Sequence, residues 1–205
     1  MNVYPTRRSA FERRTRETVI EIDLALDGTA NTAISTGIGF LDHLFTALAF
    51  HARFDLRLTC HGDLQIDDHH TAEDCALALG AAFDQALGDR AGITRFGWAY
   101  APLDEALARS VVDLSGRPWA GIELGLERER LGELSTENVP HVLRSLATAA
   151  RLTLHVDVLR GENDHHRAEA AFKATALALR QAVAVSSFLG PDGIASTKGT
   201  LGVPR

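Results

Sequence analysis

Along this chain the spacing of apolar residues switches between a period of two and a period near 3.6. Ile20, Ile22, Leu24 and Leu26 take alternate positions before Asp27-Gly28, which predicts a half-buried strand ending in a turn. Ala30 to Thr36 is expected to return as a second strand, broken by Gly37 and Gly39. The run Phe40-Leu-Asp-His-Leu-Phe-Thr-Ala-Leu-Ala-Phe50 then takes helical spacing, with His43 in its first turn. Phe54, Leu56 and Leu58 alternate as another strand. His61-Gly62-Asp63 turns the chain into a helix carrying Ala76, Leu77, Leu79, Phe83 and Leu87, which stops near Gly88.

A second pass begins near Arg95-Phe-Gly. Leu107 to Leu114 and Trp119 to Leu126 read as strands around Ser115-Gly-Arg-Pro118. A helix starts at Asn138, where Pro140 suits the first turn and His141 lies in it. Leu152, Leu154, Val156 and Val158 alternate, Gly161 interrupts, and a last helix with Phe172, Leu177, Leu179 and Val183 runs to about Phe188. The element order thus occurs twice, and it predicts an α+β protein with an internal duplication. Each of two similar halves is expected to be a small mixed sheet with two helices on one face. The expected boundaries are 1–94 and 95–189, packed as one structural unit. Residues 190–205 form a polar, turn-rich tail that is either disordered or completes a site.

Composition narrows the class. At 205 residues, 45% hydrophobic and 23% charged, the chain reads as an ordinary globular protein. No apolar run approaches the roughly 18 residues of a membrane span, and Met1 to Arg16 lacks the apolar core of a signal peptide, so the expected address is cytoplasmic. Cys60 and Cys75 are the only cysteines and form no CxxC, which argues against a disulfide framework or a cysteine zinc site. A net charge of -6 disfavours a general nucleic-acid binder.

The candidate chemistry lies in a repeated string. Asp68-His69-His70-Thr71-Ala72-Glu73 recurs as Asp164-His165-His166-Arg167-Ala168-Glu169. His43 and His141 stand 98 positions apart and His69 and His165 stand 96 apart, so both anchors move together. Six of nine histidines occupy these matching positions, with Glu73 and Glu169 beside them. Imidazole and carboxylate suit first-row transition metals. Two sites of three His and one Glu leave open positions on a six-coordinate ion, as a catalytic site requires.

On a helix, positions three apart share a face while adjacent ones diverge by about 100°. His70 is therefore expected to act with Glu73, and His166 with Glu169. The partition that follows is His43, His70, Glu73 and His165 about one metal, and His141, His166, Glu169 and His69 about the other. Each metal borrows one His from the opposite half, and the pattern leaves open whether that His comes from the same chain or a neighbour. His51, His61 and His155 lack counterparts and are read as surface or strand histidines. Ser196-Thr-Lys198-Gly has groups suited to phosphate, but alone it reads as a polar tail, and Arg95, Arg117 and Lys173 are individually weak signals. The ligand set also fits a two-metal phosphoester hydrolase or a metal-held protein shell.

Larger motifs sharpen this. Glu17-Thr after a basic stretch, Gly37-Ile-Gly-Phe-Leu-Asp-His43, Gly62 to Asp74, Pro102-Leu-Asp-Glu-Ala106, Asp113-Leu-Ser-Gly-Arg-Pro118, Gly161 to Lys173 and Ser196-Thr-Lys-Gly199 together resemble the imidazoleglycerol-phosphate dehydratase family across nearly the whole chain. The resemblance implies dehydration of D-erythro-imidazole-glycerol phosphate to imidazole-acetol phosphate in histidine biosynthesis. It implies two manganese ions that bind the substrate imidazolate, and a homo-oligomer of 24 subunits built from trimers with metals at subunit contacts. By the same resemblance His43, His69, His70, Glu73, His141, His165, His166 and Glu169 are metal ligands. Arg95, Arg117, Lys173, Ser196 and Lys198 grip phosphate, and Glu17 is a catalytic acid that handles a proton. The chain departs from the family at Leu143-Arg144, which puts local packing after His141 in question and leaves every catalytic position filled.

Overall fold

The computed structural model describes residues 7–201, which form ten strands and four helices. The first sheet has the order β1-β2-β4-β3, from Arg8–Arg14, Thr18–Ala25, Asp55–Gly62 and Thr32–Ser35. The second has the order β5-β6-β10-β7, from Phe96–Leu103, Ala106–Asp113, Thr153–Arg160 and Trp119–Glu123. In each, the fourth strand lies parallel to its neighbour and the other pairs are antiparallel. A two-stranded ribbon, β8 (Arg130–Leu131) with β9 (Leu134–Ser135), stands apart. Helices α1 (Gly39–Ala52) and α2 (His69–Leu87) cover one sheet, and α3 (Asn138–Ala149) and α4 (Asp164–Val183) cover the other. The sheets are the outer layers, and the helices meet between them as α2 on α3 and α1 on α4.

Alternation along the strands drives this layering. Ile20, Ile22 and Leu24 of β2, and Leu154 and Val156 of β10, turn inward and are buried, while their intervening residues face outward. Leu41, Leu44, Phe45 and Leu48 give α1 its buried stripe.

Three expectations need correction. β3 does not return beside β2: it lies parallel to β4 on the far side, because α1 connects β3 to β4 and a helical crossover joins parallel strands. The Asp55 carboxylate accepts from Thr29 N at 2.7 Å and Asn31 N at 2.9 Å, fixing the start of β3 beside β4. For the same reason β7 pairs with β10 rather than β6. The last helix ends at Val183, not Phe188, and the chain then runs back so that Ser186 N donates to Gly92 O and Gly92 N to Gly193 O.

One strand carries no apolar signal. β1 is an edge strand of mostly charged residues, the composition that guards an open sheet edge. Only Ser9 of it is buried, and its hydroxyl donates to Ala82 O at 2.8 Å. Leu143 and Arg144 lie inside α3: Leu143 is buried and Arg144 Nη2 donates to Ile122 O at 3.2 Å. No helix among the described residues is long and apolar enough to cross a membrane.

The α2–α3 contact is tight at Gly80, where an added Cβ meets Leu146 O at 2.6 Å and Ala149 Cβ at 2.7 Å. Alanine gains up to ~1 kcal/mol of helix propensity over glycine, but overpacking against backbone costs ~1–3 kcal/mol. Gly80→Ala is therefore expected to destabilise the chain, read as a lower midpoint in urea; a higher midpoint contradicts the packing.

Candidate metal centre

All four helix starts gather at one end of the molecule. α1 lies along α4 in parallel, His43 beside Glu169 and His51 O near Arg180. α2 lies along α3 in the same sense, with Glu73 beside His141 and Asp84 beside Arg151. One segment ties these starts together. Asp68 accepts from Ser135 N at 2.6 Å, Ser135 Oγ at 2.8 Å and Asn138 Nδ2 at 2.9 Å. Asp164 accepts from Glu127 N at 2.8 Å and Arg128 N at 2.7 Å. Burial works to raise the Asp68 pKa, yet the hydrogen bonds from Asn138 and Ser135 prevail and lower it. The shared Asp that opens both repeated strings is thus a buried anchor, a role the repeat signalled but did not explain.

Two clusters form at this end. His43, His165 and Glu169 make one, and His69, Glu73 and His141 the other, each offering ligand atoms all within 4.8 Å of one another. Glu169 Oε2 lies 2.8 Å from His43 Nε2 and 3.1 Å from His165 Nε2. Glu73 Oε1 lies 3.0 Å from His141 Nε2, and its Oε2 lies 4.0 Å from His69 Nε2. Each cluster draws donors from both halves of the chain. Burial pushes the Glu169 pKa up, but hydrogen bonds from Lys173 and His43 override it and bring the pKa down to about 2. Its carboxylate is ionised throughout the neutral range and is a ready donor.

Within one chain the clusters depart from the expected partition: Glu169 rather than Glu73 joins His43 and His165, Glu73 rather than Glu169 joins His69 and His141, and His70 and His166 stand outside both. The i,i+4 partners His69 and His165 join the glutamates, rather than the i,i+3 partners His70 and His166. Both spacings share a helix face, so the neighbouring elements decide. His70 turns to the other side, where its Nδ1 donates to Asp63 at 3.0 Å and its Nε2 lies 3.9 Å from Glu17. His166 Nδ1 donates to Glu105 at 2.8 Å. His69 Nδ1 likewise donates to Asn138 Oδ1 at 2.9 Å. A carboxylate or amide oxygen on Nδ1 fixes the tautomer and leaves Nε2 as the free donor, the arrangement found behind metal-bound histidines. Asp63, Glu105 and Asn138 were not singled out from the sequence, since their value lies in contacts that only folding makes.

The phosphate candidates divide. Lys173 Nζ sits 2.6 Å from Glu169 Oε1, beside the first cluster. Arg95 lies at the other end of α4, its backbone N bonded to Ala182 O; Glu169 to Ala182 spans about 20 Å at 1.5 Å per residue. The Arg95 guanidinium pairs with Asp113 at 2.7 Å and donates to Ala195 O at 2.7 Å, holding the tail that carries Ser196 and Lys198. Arg117 is exposed in the turn after β6. Within one chain these four residues and the clusters stand apart.

Residues 36–179 match the family model of imidazoleglycerol-phosphate dehydratase. Curated proteins of that name are similar over most of this chain. The one from Pyricularia oryzae is 54% identical over 96% of this chain and 98% of its own length. The one from Phytophthora nicotianae is 60% identical over 95% of this chain, which spans 42% of that protein. Among solved structures, the Pyrococcus furiosus enzyme in complex with (S)-C348 aligns with a TM-score of 0.79 at 36% identity, covering 93% of this chain and 99% of that one. The Staphylococcus aureus enzyme aligns with a TM-score of 0.76 at 36% identity, covering 87% and 100%. Fold and relatives together put the protein among the hydro-lyases. The chain belongs to the imidazoleglycerol-phosphate dehydratase family.

A hydrogen bond to Asp63, reinforced by the charge of Glu17, raises the His70 pKa; one to Glu105 raises that of His166. Removing a carboxylate that stabilises an imidazolium lowers its pKa. Asp63→Asn is therefore expected to lower the His70 pKa and leave His166 unmoved, with Glu105→Gln doing the reverse. NMR titration of the imidazoles checks it, and an unchanged His70 rules out the assigned contact.

Proposed function

We propose that this chain dehydrates D-erythro-imidazole-glycerol phosphate to imidazole-acetol phosphate, a step of histidine biosynthesis in the cytoplasm. The observation that carries the reading is the pair of clusters, each with two imidazoles and one carboxylate drawn from both halves. That donor set fits a first-row divalent ion. His43, His165 and Glu169 would hold one manganese, and His69, Glu73 and His141 the other. His70 and His166, facing away from both clusters, would donate Nε2 to a neighbouring copy, so that metals sit at subunit contacts in a 24-subunit shell built from trimers. Residues 1–94 and 95–189 are read as the two copies of one unit, with 190–205 completing the site.

The two ions would supply Lewis acidity that favours the deprotonated form of the substrate's imidazole, and the anionic ring can then push electron density toward the carbon attached to it, from which hydroxide leaves as water. The protein supplies the rest. Glu17, in the turn between β1 and β2 and near His70, handles the proton on the next carbon, giving an enol that becomes the ketone. Arg95, Arg117, Lys173, Ser196 and Lys198 grip the phosphate. Lys173 lies beside one cluster, and the distance of the other four from the clusters within one chain fits a site completed by other copies. Asp63, Glu105 and Asn138 hold imidazole rings in their orientation.

Glu17→Gln is expected to keep its metal content and assembly while turnover falls by about a hundredfold or more. The assay follows ketone formation from the imidazole substrate. Unchanged turnover removes Glu17 from the mechanism, and release of inorganic phosphate in place of a ketone overturns the dehydratase reading in favour of a hydrolase.

His43→Ala is expected to halve the metal bound per chain, measured by elemental analysis after dialysis. Full retention contradicts the assignment of His43 as a ligand.

A further inference from the structure

The two halves bury different chemistry at one matching place, and the strand registers locate it. Ala10 opposes Asp23 in the first sheet where Trp98 opposes Val111 in the second, and Ala25 opposes Asp55 where Asp113 opposes Thr153. The helices match through the repeated string: an added Cβ at Gly62 meets Thr71, and one at Gly161 meets Arg167, the counterpart of Thr71. By this correspondence Arg13, Thr18 and Asp74 stand where the second half has Ala101, Ala106 and Ala170, and Glu17 stands where it has Glu105.

All three alanines are buried, so this fold closes around small apolar side chains here and needs no polar group. The first half buries a charge instead. Asp74, 5% exposed, accepts from the Thr18 hydroxyl at 2.6 Å and pairs with Arg13, and Thr18 itself is 1% exposed. Burying a carboxylate is costly even when it is paired, and the alanines of the second half avoid that cost. What the first half gains lies one residue away.

Thr18 ends the turn that carries Glu17. The Thr15 hydroxyl accepts from Glu17 N at 3.1 Å and Thr18 N at 3.0 Å, and Thr15 N donates to Thr18 O at 2.9 Å, so residues 15–18 move as one piece. Asp74 follows His70 by four positions on α2, one residue out of step with His69 and Glu73, so His70 and Asp74 share the face turned to this turn. The bond from Thr18 to Asp74 therefore sets the turn against the stretch of helix that carries His70, and Glu17 Oε1 stands 3.9 Å from His70 Nε2. In the second half Glu105 is held directly: it accepts from Glu162 N at 3.1 Å, Asn163 N at 2.9 Å and His166 Nδ1 at 2.8 Å. For His70 the matching bond is made by Asp63. The Glu17 side chain, 52% exposed, has no hydrogen bond of its own among the described residues. An acid left free to handle a proton has to be located by its backbone.

We propose that Asp74 is a positioning residue for Glu17, acting through the buried Thr18 hydroxyl and the Arg13 guanidinium to fix the β1–β2 turn over His70. It rests on the reading above that Glu17 handles the proton, and extends that reading to side chains buried beneath the site.

The test uses the metal-loaded full chain. The second half packs with alanine at these positions, so Thr18→Ala combined with Asp74→Ala is expected to fold, by circular dichroism, and to keep its metal and assembly. Its turnover is expected to fall roughly ten- to a hundredfold, the scale of a ~1 Å misplacement, with KM little changed. Thr18→Val is expected to lose turnover likewise, and Thr18→Ser, which keeps the hydroxyl, to recover most of it. In a Glu17→Gln background the same double change is expected to cost nothing further. A second loss of equal size there shows that the pair acts independently of Glu17 and overturns the proposal, as does full turnover in the double variant. Crystal structures of the variants separate this from a failure of the reading beneath it. Should Glu17→Gln itself turn over normally, Glu17 loses its catalytic role and the position of its carboxylate in the double variant decides: one still 3.9 Å from His70 Nε2 refutes the positioning. Should the double variant misfold, Thr18→Val decides on the same measurements.

Discussion

Where α2 crosses α3, the carbonyl of Leu146 and the methyl of Ala149 occupy the space that a side chain at residue 80 would need. The other helices are also rich in small residues at their buried positions: α4 alone buries Ala168, Ala170, Ala171, Ala174, Ala176, Ala178 and Ala182. Close, parallel approach of helices from opposite halves is the constraint on which the site depends. It brings four N-termini to one end of the molecule, and with them every residue of both clusters. Parallel helices also place like ends of their dipoles together, each equivalent to about half a positive charge. Asp68, Glu73, Asp164 and Glu169 lie at those ends and offset the field. The acids that could hold a cation therefore also favour the packing that collects them.

Rigidity follows from the same place. The loop before α3 lends backbone N–H groups to Asp68 and Asp164, so one segment fastens the starts of α2, α3 and α4. The imidazoles are then set by a second ring of acceptors, Asp63, Glu105 and Asn138. A carboxylate beside an imidazole costs little at the surface and decides which nitrogen is free. This is how adjacent histidines on one helix come to face different ways: one turns to its glutamate, the other to an acid from a neighbouring loop.

The two sheets have kept one topology and acquired different outer surfaces. One presents aromatic rings and the other a hollow with small and cationic residues at the matching positions.

Much of this was legible in the residue pattern. Period-two and period-3.6 spacing located six of the eight main-sheet strands, at least in part, and all four helices, and the twice-written Asp-His-His-x-Ala-Glu string pointed to the helix starts that matter. These are local properties, carried by neighbours in sequence. Which strand lies beside which was not local: β3 and β7 pair with strands that come later, because a helical crossover intervenes. β1 was hidden because an edge strand of charged residues has little apolar contrast to read. Spacing pointed to His70 as the partner of Glu73, but an i,i+4 neighbour lies on the same helix face as an i,i+3 one, and His69 takes that place. Only the approach of α3 and of the Asp63 loop settles it, through contacts between residues far apart in the chain.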